Sequence, residues 1–217
     1  SRADIHLIHQ QINANEWRVK GINYKIDINK KWTKFKESPF TTVFKLKRYK
    51  TLFAIDTSWS INTIASLYFG EVKDIIAKYY KEGDKFFLWN RYHAEKTKKE
   101  IDNWINSRTG DGGTDSTNIV EIAKKCPEHR EHLVIVTDGN VDKVIINRSD
   151  ELMKQNNIKF KYVSIFIIGD EGNLSVGAPF CRDCPNKTIQ ILDKNHRIDG
   201  PSLTLEEIEA YNNILKL

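Results

Sequence analysis

From residue 51 onward, short apolar runs alternate with stretches in which apolar residues return every three or four positions. The run Thr51–Asp56 (TLFAID) is the first, and its unbroken apolarity predicts a strand buried on both faces. Ile61, Ile64, Ala65, Tyr68, Val72, Ile75, Ile76 and Tyr79 then recur at helical spacing and predict a long helix over residues 60–81. The pattern continues with a strand at 85–89 (KFFLW), a helix at 94–107 and a glycine-rich turn at 110–113. A helix at 116–125, a strand at 133–137 (LVIVT) and a helix at 147–156 follow. Strands at 160–168 and 187–192 and a helix at 204–215 complete the expected order. Before residue 50 the pattern is less regular. Ile5, Leu7, Ile8 and Ile12 suggest a helix over 3–17, and residues 40–47 (FTTVFKLK) a strand.

Apolar strands that alternate with amphipathic helices predict an α/β fold, a doubly wound, mostly parallel sheet with helices on both faces. We expect residues 50–217 to form that domain and residues 1–49 to be a basic N-terminal extension packed on its core. In open sheets of this kind the ligand site lies beyond the carboxyl ends of the strands, where the strand order reverses. The loops that follow the strands therefore carry the most information about function.

Three of those loops are rich in oxygen ligands. The first strand runs into Asp56-Thr57-Ser58-Trp59-Ser60, the third helix is preceded by Gly112-Gly113-Thr114-Asp115, and LVIVT ends in Asp138-Gly139. None supplies a cysteine or a well-placed histidine. Carboxylates and hydroxyls without a soft ligand suit a hard cation such as Mg²⁺, which takes six oxygens at about 2.0–2.1 Å and keeps some of its waters. Asp56 and Asp138 would balance its charge, while neutral Ser58, Ser60 and Thr114 leave it able to accept one more acidic oxygen. The competing reading is that these residues cap helices, Asp56, Ser58 or Ser60 the long one and Asp115 or Ser116 the next. Capping explains each loop singly but not all three together.

Asp56-x-Ser58-x-Ser60, Thr114 in its Gly-Gly-Thr-Asp turn and Asp138 in Thr-Asp-Gly resemble, in order and spacing, the metal-ion-dependent adhesion site (MIDAS) of von Willebrand factor A (VWA) domains. The resemblance covers residues 50–217 and implies a Rossmann-like VWA fold. It implies that Ser58 and Ser60 bind the metal directly, Thr114 directly or through water, and Asp56 and Asp138 mainly through waters. A protein partner's Glu or Asp would fill the remaining position. The ion would be Mg²⁺, with Mn²⁺ or Ca²⁺ as alternatives. Where many family members have a small residue, this chain has Trp59, either a partner-binding anchor or a packed residue at the helix start.

Composition narrows the remaining possibilities. No apolar run approaches the roughly 20 residues of a membrane-spanning helix. Three cysteines do not make a disulfide framework, and the opening SRADIHLIHQ has no long apolar run, so the expected setting is intracellular, in the cytoplasm. The net charge of +5 is unevenly spread. Residues 18–50 carry eleven Lys/Arg against Asp27 and Glu37, for +9, whereas residues 51–217 carry −3. With Trp17, Tyr24, Trp32, Phe35 and Phe40 among those charges, the segment is a candidate nucleic-acid surface, and a ribonucleoprotein scaffold is the alternative function.

Enzymatic readings fare worse. A phosphatase with an aspartyl nucleophile usually has a second carboxylate two residues on, and here Ser58 stands there. No Ser-His-Asp or Cys-His arrangement follows the strands, so the expected function is binding rather than catalysis. Cys181-Arg-Asp-Cys184 is a lone CxxC, expected at the top of the sheet, whereas Cys126, His129 and His132 are expected at its foot. A joint zinc site, which needs about four ligands, is therefore not expected.

Overall fold

The computed structural model describes strands within residues 10–13, 16–19, 22–26 and 32–36, and then residues 50–169, 172–181, 184 and 186–192. The expected strand at 40–47 and helix at 204–215 lie outside the described residues, as do the side-chain surroundings of residues 1–49.

Six strands form the main sheet: β5 (Thr51–Asp56), β6 (Lys85–Trp89), β7 (His93–Lys96), β8 (His132–Thr137), β9 (Tyr162–Ile168) and β10 (Asn186–Leu192). Their spatial order is β10-β9-β8-β5-β6-β7. All neighbours are parallel except β6 and β7, which pair antiparallel from Trp89↔His93 to Phe86↔Lys96. The chain moves from β5 outward to β6 and β7, then returns to place β8 on the other side of β5. The order thus reverses between β5 and β8, and a crevice opens there at the strands' carboxyl ends.

Each central strand is buried on both faces, which is why its apolar run is unbroken. Phe53 and Ile55 of β5 pack with Val134 and Val136 of β8 under α1 (Ala65–Tyr79) and α2 (Lys98–Ser107). Leu52 and Ala54, the alternate residues, face α3 (Thr117–Lys125), α4 (Lys143–Asn156) and the short α5 (Ala178–Cys181). Helices on both faces of a mostly parallel sheet are the architecture expected from the alternating pattern.

Two expectations need correction. The helix predicted over 94–107 begins only at Lys98, because residues 93–96 are taken by β7. Thr97 then starts the helix with a reciprocal cap: its hydroxyl accepts from the Glu100 amide (3.2 Å), while the Glu100 carboxylate accepts from the Thr97 amide (3.0 Å). At the N-terminus the helix predicted over 3–17 gives way to β1 (Gln10–Asn13) and β2 (Glu16–Val19). With β3 (Ile22–Ile26) and β4 (Trp32–Lys36) they make an antiparallel meander in sequential order. In EWRV and INYKI the apolar positions fall on alternate residues, and the register sets Trp17 opposite Tyr24 and Val19 opposite Ile22. That period of two outweighs the few helically spaced apolar residues further back.

No helix among the described residues is long and apolar enough to cross a membrane. Gly70 lies in α1 with an exposed surface and no atom within 4 Å of where a Cβ would stand. Gly70→Ala is therefore expected to stabilise the fold by about 0.5–1 kcal/mol, by lowering the backbone entropy of the unfolded chain. Urea titrations of the two proteins will show it as a higher midpoint at unchanged slope.

Candidate metal centre

The crevice between β5 and β8 is where Asp56 and Asp138 end up. Asp56 is the last residue of β5 and fully buried; Asp138 directly follows β8 and is also buried. The strand ends at Asp56, and three backbone hydrogen bonds fix the chain that follows. The Thr57 amide donates to the Trp89 carbonyl (2.8 Å), the Thr57 carbonyl accepts from the Asp111 amide (2.8 Å), and the Trp59 amide donates to the Gly112 carbonyl (2.9 Å). The loop after β5 is thus laced to the end of β6 and to the Gly112–Asp115 loop that carries Thr114.

Four of the five predicted ligands share one hydrogen-bonded network. The Ser58 amide donates to Asp56 Oδ1 (2.7 Å), the Ser58 and Ser60 hydroxyl oxygens stand 3.3 Å apart, and the Ser60 hydroxyl donates to Asp138 Oδ2 (2.5 Å). Thr114 is half-buried in the loop whose Gly112 carbonyl accepts from the Trp59 amide, and no hydrogen bond joins it to the other four. The capping alternative fails for Ser58, which precedes a 3-10 turn at Trp59–Ile64 without a side-chain bond to it, and no side chain caps α1. It holds for Asp115, whose carboxylate accepts from the Thr117 amide (3.0 Å) and hydroxyl (2.6 Å) at the start of α3.

Burial pushes the Asp56 carboxyl up to about 7, and the negative charge of Asp138 adds to the shift. Hydrogen bonds from Ser58 and Thr137 pull the other way but are outweighed. The Tyr68 hydroxyl is raised well above its usual range by burial and by the same two carboxylates. A cation between Asp56 and Asp138 would relieve the repulsion that helps to raise Asp56. The spacing also suits one: the edge of an octahedron with Mg–O bonds of 2.0–2.1 Å is about 2.9 Å, close to the 3.3 Å between the two serine oxygens. A serine that donates its proton to Asp138 still has lone pairs for a metal. Among the described residues no group of three or more His, Cys, Asp or Glu is placed to hold a metal. This centre instead pairs two carboxylates with hydroxyls, so its donor set fits a hard ion and not a soft one.

Several supporting residues carry no obvious sequence signal. Tyr68, read as one of the core-facing apolar positions, donates its hydroxyl to the Asp56 carbonyl (2.5 Å). The Thr137 hydroxyl donates to Asp56 Oδ2 (2.7 Å) and accepts from the Gly139 amide (3.0 Å). Gly139, at φ +75°, makes the left-handed turn this requires. Asn62 grips Gly110 from both sides, accepting from its amide and donating to its carbonyl, each at 2.8 Å. Trp59 is 64% exposed, so the packed alternative for its side chain does not hold.

The cysteines lie elsewhere, and one expectation about them is overturned. A 3-10 turn at Leu174–Gly177 and then α5 carry the chain back down the face of the sheet. Cys184 consequently donates to the carbonyl of Lys161, one residue before β9 begins (3.5 Å), so the CxxC sits at the foot of the sheet rather than the top. Cys126, Cys181 and Cys184 are buried, and none of them is in a disulfide among the described residues. His129 contacts the Gly83 carbonyl (3.1 Å) and His132 the Ser164 hydroxyl (2.8 Å) through their Nε2 atoms.

No protein-family model matches the chain, and no curated protein matches it. Solved structures do resemble it at low identity. The conserved hypothetical protein BatB from Bacteroides thetaiotaomicron is 13% identical with a TM-score of 0.44, over 77% of this chain and 98% of that one. Proximal thread matrix protein 1 from the mussel byssus, with a zinc-occupied MIDAS motif, is 14% identical with a TM-score of 0.45, over 76% of this chain and 45% of that one. The SpRpn10 VWA domain is 15% identical with a TM-score of 0.41, over 77% and 95%. Likenesses this distant do not bear on function. The α/β fold stands on the strand order and register described above.

Two outcomes follow from this geometry. In metal-free protein the folded state holds a proton on Asp56 up to about pH 7, whereas the unfolded chain releases it near 3.8. Folding therefore binds a proton in that window, and stability is lost as pH rises from about 4 to about 7. Measured in EDTA, urea midpoints of the wild type should fall with pH relative to those of Asp56→Asn; parallel profiles would contradict this. Separately, a Cβ at Gly110 would stand 2.3 Å from the Ser58 carbonyl oxygen and 2.6 Å from Ile61. Gly110→Ala should cost about 1–3 kcal/mol, read as a lower melting temperature, because the backbone at Ser58 must move.

Proposed function

We propose that this chain binds one divalent cation, Mg²⁺ in the first instance, through Asp56, Ser58, Ser60, Thr114 and Asp138, and uses it to bind a protein partner's acidic side chain. The observation that carries this reading is the linked set Asp56, Ser58, Ser60 and Asp138 at the reversal point of the sheet. Two carboxylates are buried there without a cationic side chain among their hydrogen-bond partners, and hydroxyls supply the remaining oxygens.

The bound ion would supply a Lewis-acidic position for one exchangeable oxygen ligand. The chain's own residues do the rest. Asp56 and Asp138 neutralise the charge, and each is held in place: Asp56 by the Ser58 amide and the Thr137 hydroxyl, Asp138 by the Ser60 hydroxyl and the Asn140 amide (3.0 Å). Ser58 and Ser60 offer neutral oxygens, so the site retains affinity for an outside carboxylate. Trp59, exposed between them, is positioned to add apolar contact area and selectivity, which a single carboxylate–metal bond cannot provide. In this reading the hydroxyls of Ser58 and Ser60 serve as ligands, and the function is binding rather than catalysis.

Calorimetric titration with Mn²⁺ or Mg²⁺ tests the proposal directly. The wild type is expected to bind one ion, and Asp56→Ala or Asp138→Ala to lose it, since each removes half of the neutralising charge. Equal affinity in wild type and variants would sink the assignment. A pull-down from native lysate in Mg²⁺ against EDTA extends the test to the partner. Capture that ignores EDTA but collapses when Lys30, Lys31, Lys34 and Lys36 are neutralised would instead favour the basic segment and nucleic acid.

A further inference from the structure

Beside the metal loops lies an open groove of about 670 Å³. One wall is the β6–β7 hairpin, and the other is the end of α2 with the loop that follows it. Leu88 and Ala94 are register partners on the two strands of the hairpin and give the groove an apolar lining. Trp104 of α2 lines it from the other side. Its ring is fixed, because Nε1 donates to the Thr109 carbonyl (3.1 Å) and the indole meets Phe69 edge-on at 4.9 Å between centroids. Tyr92 stands at the hairpin tip, 74% exposed, and also lines the groove. A large aromatic left this open at the rim of a partly apolar groove marks a contact surface.

The groove is continuous with the metal centre. Thr57, the residue between Asp56 and Ser58, lines it, and so does Asp111, whose amide is bonded to the Thr57 carbonyl. Asn90 makes the joint rigid. Its side-chain amide donates to the Asp111 carbonyl (2.9 Å), its side-chain oxygen accepts from the Tyr92 amide (2.8 Å), and its own amide donates to the Tyr92 carbonyl (2.8 Å). The hairpin tip and the loops after β5 and α2 are therefore one preformed surface, apolar at Leu88, Ala94 and Trp104, with Lys96 and Glu100 also along the groove.

We propose that this groove is the specificity subsite of the metal centre. It receives a large apolar side chain lying within two residues of the partner's metal-binding Asp or Glu. The partner class is then an extended protein segment with an acidic residue flanked by large apolar ones. This rests on the metal-bridged reading above. Asp56 is opposite Trp89 and Trp89 opposite His93, so β7 lies two strand spacings, about 10 Å, from β5. An extended chain advances about 3.3 Å per residue, and a side chain one or two residues from the carboxylate spans that distance. The recess buries that side chain against Leu88, Ala94 and Trp104 without any ordering of the protein, because hydrogen bonds already hold both walls.

Two blocked peptides test the proposal on the full chain, Gly-Leu-Leu-Asp-Leu-Leu-Gly and Gly-Ala-Ala-Asp-Ala-Ala-Gly, titrated in Mg²⁺ and in EDTA. In Mg²⁺ the wild type is expected to bind the leucine peptide roughly tenfold or more tightly than the alanine peptide. Ala94→Arg, which fills the recess, and Tyr92→Ala, which removes its rim, should bring that ratio close to one. Both residues are exposed and outside the metal network, so the alanine peptide should bind the variants as it binds the wild type. Equal affinity for the two peptides in the wild type, an unchanged ratio in both variants, or binding of neither peptide would each overturn the proposal. The EDTA arm separates it from the reading it rests on. A leucine preference that survives EDTA and is still abolished by Ala94→Arg would keep the groove and reject the metal bridge. Loss of both peptides in EDTA supports the two together.

Discussion

Two carboxylates that share a buried crevice repel each other, and the structure around Asp56 and Asp138 is organised to hold them there regardless. Desolvation and mutual repulsion alone would favour protonation or a rearranged loop. They win at the Asp56 carboxyl, which is pushed up to about 7, but the loop does not rearrange, because the Ser58 amide and the Thr137 hydroxyl hold Asp56, and the Ser60 hydroxyl and the Asn140 amide hold Asp138. Tyr68 holds the backbone of Asp56 from the helix behind it. Each contact comes from a different element, so the crevice is over-determined.

The parts of this arrangement that a sequence displays are those that repeat or stand side by side. The alternation of TLFAID, KFFLW and LVIVT with amphipathic stretches is a property of many residues at once, and it foretold the sheet with helices on both faces. Asp56, Ser58 and Ser60 lie within five residues of each other, so their grouping is local. Their meeting with Asp138 follows from strand order alone, since β5 and β8 are neighbours. Asn62 and Gly110 are different. Their mutual grip spans 48 residues, and neither residue type announces such a partner. Tyr68 was legible as a core position, yet its hydroxyl, the part that matters for the centre, is invisible to a count of apolar periodicity.

The misread segments have equally physical causes. Residues 93–96 (HAEK) lack the apolar run of a central strand, because β7 lies at the edge of the sheet and faces solvent. Its neighbours from Lys98 onward are good helix formers, so the helix appears to begin too early. The CxxC was misplaced because a 3-10 turn and a four-residue helix are too short to leave a periodic trace. In each case the deciding interaction is a contact between distant segments, or an element shorter than the window that periodicity needs.

The short antiparallel strand β7 also ends the sheet. An edge strand offers unpaired backbone groups to any passing chain, and long apolar edges invite stacking into fibrils. Here the edge is four residues long and carries Glu95 and Lys96. Its first residue, His93, is held by Asn118 (2.7 Å) and Lys125 (2.7 Å) of α3. A sheet with this margin resists templated growth from that side, and the chain can tolerate an exposed aromatic hairpin tip there without becoming prone to aggregation.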